Sequence, residues 1–367
     1  MVSSRIPALV AGDISSRLIS ASRRALSLAA LFAFVACAGD VLSPDGSANV
    51  NNKKGGSPVP EVLPPDPPPA PPLPVTGNPI LGASLWVDPN SNARVTADAW
   101  RVTRASDAAS MDKIASNSQA QWFNGSSTDI HAQVSNTVAA TTAAGSIPVL
   151  VAYNIPQRDC GGLSAGGTTV NGYKIWISAF AAGIAGRPAV VILEPDALAQ
   201  MTCLSAADQT TRVGLLTYAV SALKAQGPVT VYLDAGHSAW KSASDMAARL
   251  NRANVAAADG FSLNVSNFQP TSNSVAYGKA ISSLIGGKHF VIDTGRNGLG
   301  PSADNQWCNP AGRALGQVPT TITADPAADA YLWIKPPGES DGACSGAPAA
   351  GIWWAEYALG LAQRATL

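Results

Sequence analysis

After residue 77 the chain alternates between two hydrophobic periods. Short, β-rich apolar runs recur at Leu81–Val87, Ile147–Tyr153, Ala189–Glu194, Val229–Asp234, Gly260–Val265, His289–Asp293 and Tyr331–Lys335. Stretches of helical period separate several of them, among them Tyr173–Ile184, Ala206–Lys224 and Met246–Ala257. Strands alternating with helices predict parallel β-α units. Seven or eight such units without a glycine-rich dinucleotide fingerprint predict a closed α/β barrel rather than an open sheet. Nearly every run ends in a polar residue: Asp159 soon after Tyr153, then Glu194 with Asp196, Asp234, Asn264, Asp293, and Lys335 with Glu339 and Asp341. In a barrel, active sites are built at those C-terminal strand ends.

The chain before residue 77 is patterned differently. Residues 1–39 carry Arg5, Arg17, Arg23 and Arg24 ahead of an apolar run from Ala25 to Ala36. That run is too short to span a bilayer but suits the core of a signal peptide. It closes in Phe34-Val35-Ala36-Cys37, which resembles a bacterial lipobox, so Cys37 is the expected lipidation site. Residues 40–76 turn polar, then Gly/Lys-rich, then proline-rich, and eleven of the 27 prolines fall between Pro58 and Pro79. Such a segment is expected to be a disordered, partly polyproline II spacer. The reading is therefore an exported, membrane-anchored lipoprotein facing periplasm or cell exterior, or otherwise a secreted protein, with one catalytic domain over 77–367.

Composition narrows the chemistry. With 24 Lys+Arg against 24 Asp+Glu in 367 residues, the formal net charge is zero. That removes the attraction that nucleic acid or an anionic lipid surface requires, leaving a lipid anchor as the membrane contact. Hydrophobic residues at 46% supply a large core and exclude global disorder. Three histidines and five cysteines lack the spacing of a zinc cluster, and no metal or cofactor is expected. Carboxylates gathered at one barrel face suit acid–base work on a neutral substrate, as glycosidic cleavage demands. The nine tryptophans fit as well, because flat indoles stack on the apolar faces of sugar rings.

Local motifs make this specific. Val151-Ala-Tyr-Asn-Ile-Pro-Gln-Arg-Asp-Cys-Gly161, with Gly162-Leu-Ser-Ala-Gly-Gly167, and Val191-Ile-Leu-Glu-Pro-Asp-Ala-Leu198 resemble two hallmarks of glycoside hydrolase family 6. Tyr232-Leu-Asp-Ala-Gly-His-Ser-Ala-Trp240, Asp293-Thr-Gly-Arg-Asn-Gly298, Gln306-Trp-Cys308 and Trp333-Ile-Lys-Pro-Pro-Gly-Glu-Ser-Asp-Gly342 follow in that family's order and spacing. The resemblance covers the globular part from Asn78 onward. It implies a distorted seven-stranded parallel β/α barrel and an inverting enzyme that cleaves β-1,4-glucans.

By that resemblance Asp196 is the general acid and Asp159 the carboxylate that raises its pKa and stabilises positive charge. Asp341 is the candidate base, acting directly or through a water chain. An inverting pair leaves about 6.5–9.5 Å between acid and base for the water. Tyr153 is expected to crowd the distorted ring, with Trp122, Trp240 and Trp307 as sugar-stacking platforms. Lys335 and Glu339 fall at substrate-contact positions. Asn264, His237, Asp234 and Ser164 complete the candidate substrate-binding set, with Asp234 and His237 equally open to a structural role. Where the family usually carries serine six residues after the aspartate of Arg-Asp-Cys, this chain has Ala165, with Ser164 just before it. Either Ser164 takes over, or backbone carbonyls hold the water. Phe268 stands where tyrosine is frequent.

Cys37 aside, four cysteines allow three pairings. The resemblance favours Cys160–Cys203 and Cys308–Cys344. Compact segments after Trp333 and between Asp159 and Glu194 argue for an open cleft, hence an endo-β-1,4-glucanase acting as a monomer. A cellobiohydrolase of the same family and a non-catalytic surface glucan-binding protein are the alternatives.

Overall fold

The computed structural model describes residues 63–71 and 77–366. The expected signal segment, Cys37 and most of the proline-rich spacer lie outside the described residues. Seven strands form one parallel sheet in chain order: β1 Gln121–Phe123, β2 Val149–Ala152, β3 Ala189–Leu193, β4 Val229–Asp234, β5 Gly260–Leu263, β6 His289–Asp293 and β7 Ala328–Leu332. The sheet curls until its edges approach. There the Ala120 N–H donates to Trp333 O at 3.0 Å, and Trp122 Nε1 donates to Ile334 O at 2.7 Å.

Strands β2 to β5 are wholly buried, as sheets covered on both faces must be. Val149, Val151, Val190, Ile192, Tyr232, Val291, Ala330 and Leu332 fill the barrel interior. Their neighbours Leu150, Ala152, Val191, Leu193, Leu233 and Ile292 face the outer helices. At the interior's polar floor the Tyr232 hydroxyl donates to Asp329 Oδ2 at 2.7 Å, and His289 Nδ1 lies 2.8 Å from Asp329 Oδ1.

The helices are α1 Asn92–Trp100, α2 Ala105–Ala115, α3 Ile130–Ala143, α4 Val170–Ile184, α5 Ala206–Lys224, α6 Ala243–Arg252, α7 Thr271–Leu284 and α8 Ala355–Arg364. Hydroxyl caps start four of them: Ser91, Thr169, Ser205 and Ser242 accept the N–H groups of Arg94, Gly172, Asp208 and Asp245. Helix α4 stops where Ala185 and Gly186 take positive φ. Helices α1, α2 and α8 enclose a separate apolar cluster around Trp333, with Trp100, Trp353 and Trp354 packed against it. No helix among the described residues is long and apolar enough to cross a membrane.

Two expectations need correction. Leu81–Val87 is not a sheet strand; it makes a single parallel bridge, Leu85 to Ile147. The first strand is instead Gln121–Phe123, whose three residues are too few to show an alternating pattern. The last strand runs Ala328–Leu332 rather than 331–335, because Asp329, turned into the floor network, breaks the apolar run. Within the stretch expected as a spacer, residues 63–71 lie against the domain. Asp66 pairs with Lys174 of α4 at 2.6 Å, and the Ala70 N–H donates to Ser221 Oγ of α5 at 3.2 Å.

Candidate active site

The loops following the strands' C-terminal ends surround a cleft of about 790 Å³, within the range of sites for small organic ligands. Of the expected site residues, Trp122, Tyr153, Asp159, Ser164, Asp196, His237, Trp240, Trp307, Lys335, Glu339 and Asp341 line it.

Asp196 follows β3 at φ 67°, a left-handed conformation that turns the chain sharply after Glu194 and Pro195. Its backbone N–H donates to Asp234 Oδ1 at 2.9 Å. Its carboxyl receives no hydrogen bond from the described residues. Scarcity of water around that carboxyl raises its pKa well above the usual carboxylate range, and the charges of Asp234, Asp159 and Asp341 add to the effect. This is the electrostatic setting of a carboxylic acid that keeps its proton.

Asp159 is held differently. Its Oδ2 accepts the Ser164 N–H at 2.8 Å and the Ser164 hydroxyl at 2.9 Å, while Gln200 Nε2 donates to Oδ1 at 3.0 Å. With its hydrogen directed at Asp159, Ser164 Oγ accepts from the Tyr153 hydroxyl at 2.9 Å. Tyr153 meets Trp122 edge to face, with ring centroids 5.2 Å apart. Arg158 lies over the Tyr153 ring, 4.5 Å from its centroid, and donates to the carbonyls of Asn124, Tyr153 and Ser164.

Asp341 forms a buried ion pair with Arg296, whose Nη1 reaches Oδ2 at 2.8 Å. The Asn309 N–H donates to the same oxygen at 2.9 Å, and Asn309 Oδ1 accepts the Asp341 N–H at 2.8 Å. The second oxygen, Oδ1, receives no hydrogen bond from the described residues. Lys335 Nζ donates to Ser340 O at 3.1 Å, lies 3.7 Å from Glu339 Oε2 and stands 5.6 Å from the Trp122 ring centroid. Burial pushes Glu339 upward against the lowering effect of Lys335. His237 packs on Trp240 with centroids 5.4 Å apart, and burial takes its pKa down to about 4, so it is neutral at pH 7.

Two expected substrate contacts lie beneath the cleft floor instead. Asn264 is fully buried and its amide is engaged: Nδ2 donates to Asp293 O at 2.9 Å, and Oδ1 accepts the Gln269 N–H at 3.0 Å. Asp234 is 1% exposed and directs its carboxylate at Asp196 N–H, Gly236 N–H and the Ser262 hydroxyl. Burial lifts its pKa to about 6, and those three donors oppose the rise. Both residues shape the loops that bear the lining side chains. Among the described residues no group of three or more His, Cys, Asp or Glu side chains is arranged to hold a metal ion.

This arrangement can deliver a proton from one side and take one up on another, between aromatic walls. The sequence model of glycosyl hydrolases family 6 matches residues 80–365. The chain belongs to that family. It is 47% identical over 285 residues to Endoglucanase A of Cellulomonas fimi, covering 77% of this chain and 62% of that protein. It is 41% identical over 286 residues to Endoglucanase 1 of Streptomyces halstedii, covering 75% and 86%. A solved structure of the endoglucanase Cel6 from Mycobacterium tuberculosis, in complex with methyl-cellobiosyl-4-deoxy-4-thio-β-D-cellobioside, aligns with TM-score 0.75 and 48% identity. It covers 78% of this chain and 98% of that one. The match to the Cellulomonas protein thus spans less than two thirds of its length.

Family membership makes several residues outside the expected set intelligible. Arg296 and Asn309 hold Asp341, and Gln200 holds Asp159. Each sits beside a family motif: Arg296 inside Asp293–Gly298, Asn309 just after Cys308, and Gln200 four residues past Asp196. At Ala165 the family pattern lacks its hydroxyl, and the Ser164 hydroxyl hydrogen is already directed at Asp159. Disulfides join Cys160 to Cys203 and Cys308 to Cys344, with Cα separations of 6.2 and 6.4 Å. Phe268 is fully buried and carries Arg296 over its ring face, 4.5 Å from the centroid.

Proposed function

We propose that the protein is an endo-β-1,4-glucanase that cleaves internal bonds of cellulose or a related β-glucan with inversion. The observation that carries this reading is Asp196: a cleft carboxyl that receives no hydrogen bond from the described residues and whose pKa is raised by burial and by three neighbouring carboxylates. Asp196 gives its proton to the leaving glycosidic oxygen as the bond breaks. Asp159, steadied by Ser164 and Gln200, faces the positive charge that develops on the sugar ring. Asp341, paired through Oδ2 with Arg296, keeps Oδ1 to take the proton of the attacking water, directly or through a second water. Tyr153 crowds the ring, while Trp122, Trp240 and Trp307 stack against flanking sugars. Lys335, Glu339 and His237 contact hydroxyls. With no hydroxyl at position 165, backbone carbonyls of the 159–165 loop are the remaining partners for the water on that side.

The endo mode draws support from relatives named endoglucanases at 41 to 47% identity. The retained Asp159, Asp196 and Asp341 weigh against a purely binding protein. Export, lipidation of Cys37 and action as a monomer belong to the same proposal; the N-terminal sequence and the two disulfides support export. Carboxymethylcellulose viscometry tests the mode of action. A steep fall in viscosity with few reducing ends released is expected; steady cellobiose release with little viscosity loss would reject it.

A further inference from the structure

Two loops carry the proposed acid and its neighbouring carboxylate. Residues 153–167 follow β2 and bear Asp159; residues 194–204 follow β3 and bear Asp196. Both contain non-glycine residues at positive φ: Gln157 at 54°, Asp159 at 55°, Glu194 at 51° and Asp196 at 67°. Each such conformation costs on the order of 1–2 kcal/mol and persists only where surrounding structure over-determines it. Two buried side chains supply that constraint.

Glu194 is 1% exposed and does not line the cleft. Its carboxylate accepts the Asn154 N–H at 3.0 Å from both oxygens, and Oε2 also accepts the Ile155 N–H at 3.1 Å. A side chain of the second loop thereby grips two consecutive amides of the first. Arg212 of α5, 3% exposed, binds the same pair of loops through carbonyls. Its Nη2 donates to Pro156 O at 2.7 Å and Gln157 O at 2.9 Å, and its Nη1 donates to Ala197 O at 3.3 Å. Burial lifts the Glu194 pKa to about 7, against the amides it accepts, and lowers that of Arg212, against the pull of the Glu194 carboxylate. Tyr153 immediately precedes the gripped amides, and Asp196 lies two residues beyond Glu194.

We propose that Glu194, backed by Arg212, is a positioning residue for the hydrolytic reaction. It locks the Asp159 loop to the Asp196 loop and so fixes the two carboxyl groups relative to one another. The proposal rests on Asp196 being the acid. Its effect belongs to the chemical step more than to binding, because the sugar-stacking side chains stand on other elements or precede the gripped amides. Misplacement of a catalytic group by about 1 Å can cost a hundredfold in rate.

The test measures kcat and KM on cellohexaose for wild type, Glu194→Gln, Glu194→Ala, Asp196→Ala and Asp329→Asn. Gln keeps one oxygen able to accept both amides but loses the charge; Ala leaves both amides unpaired. Expected are a fall in kcat of at least about tenfold for Ala, a smaller fall for Gln, and KM within about twofold for both. Asp329→Asn, at the barrel floor, serves as the control for lost stability. It lowers the melting temperature while leaving kcat unchanged at temperatures where it is folded. Folded Glu194 variants with kcat within about twofold of wild type overturn the proposal. So does an Asp329→Asn loss of kcat equal to that of Glu194→Ala at matched stability. If neither Glu194 variant folds, Arg212→Lys carries the test, since one ammonium cannot bind three carbonyls in that geometry. Wild-type kcat in that variant overturns the proposal equally. An active Asp196→Ala, by contrast, refutes the assignment of the acid and not the bracket.

Discussion

Burial and the placement of neighbouring carboxylates raise the pKa of Asp196, the proposed acid. Asp234, anchored by three donors, directs an oxygen at the backbone N–H of Asp196, so its charge is pinned beside the acid. Asp234→Asn retains an acceptor there but removes the charge. The acid must be protonated to act, so activity is lost as pH rises through its pKa. With the neighbouring charge gone, Asp196 ionises at lower pH. The alkaline limb of kcat/KM is therefore expected to move down by about one pH unit. A pH profile of the variant with its alkaline limb unmoved would contradict the assignment. Asp196, Asp159 and Asp341 were legible as candidates because each lies in a local motif at a strand end. Glu194, Arg212, Gln200 and Arg296 were not assigned roles, because their partners come from other strands and only the fold brings them together. Asn264 and Asp234 show the reverse: a polar residue at a strand end can turn downward and bind loops.

At the scale of elements, hydrophobic runs located β2 to β6 and the helix over Ala206–Lys224 closely. They failed where burial does not set the pattern. Gln121–Phe123 is only three residues long, and its edge of the sheet meets the other through the Ala120 N–H and the Trp122 indole N–H, each on a carbonyl. Of the 81–87 run, Ala83 and Leu85 pack against the interior cluster while Leu81 and Val87 are exposed, so the run does not join the sheet. Loops after β2 and β3 depend on covalent as well as polar ties. Cys160 adjoins Asp159, and its bond to Cys203 closes a loop with a sequence separation of 43. On the chain-entropy picture such a cross-link contributes about 4 kcal/mol. The double variant Cys160→Ser/Cys203→Ser is expected to melt at lower temperature and to lose kcat even where folded. Thermal unfolding together with assays at low temperature check this. A variant less stable but with wild-type kcat would mean that the disulfide does not hold Asp159 in place.

At the scale of the whole molecule, a chain of zero net charge carries a cleft whose charges are internal, which suits the neutral polymer proposed as substrate. Among the described residues, its carboxylates are compensated by backbone N–H groups, by hydroxyls, by Gln200, by Lys335 and by Arg296, whereas the Asp196 carboxyl receives no hydrogen bond. This asymmetry among carboxyl groups suits the proposed single-displacement reaction, which needs one carboxyl that gives a proton and another that accepts one from water. The barrel places all three at the same strand ends, on loops after β2, β3 and β7. The anomeric configuration of the first product tests this account most directly. In proton NMR spectra of cellohexaose taken before mutarotation, wild type is expected to form the α-anomer first, and Asp196→Ala is expected to form almost no product. A β-anomer appearing first would contradict the account.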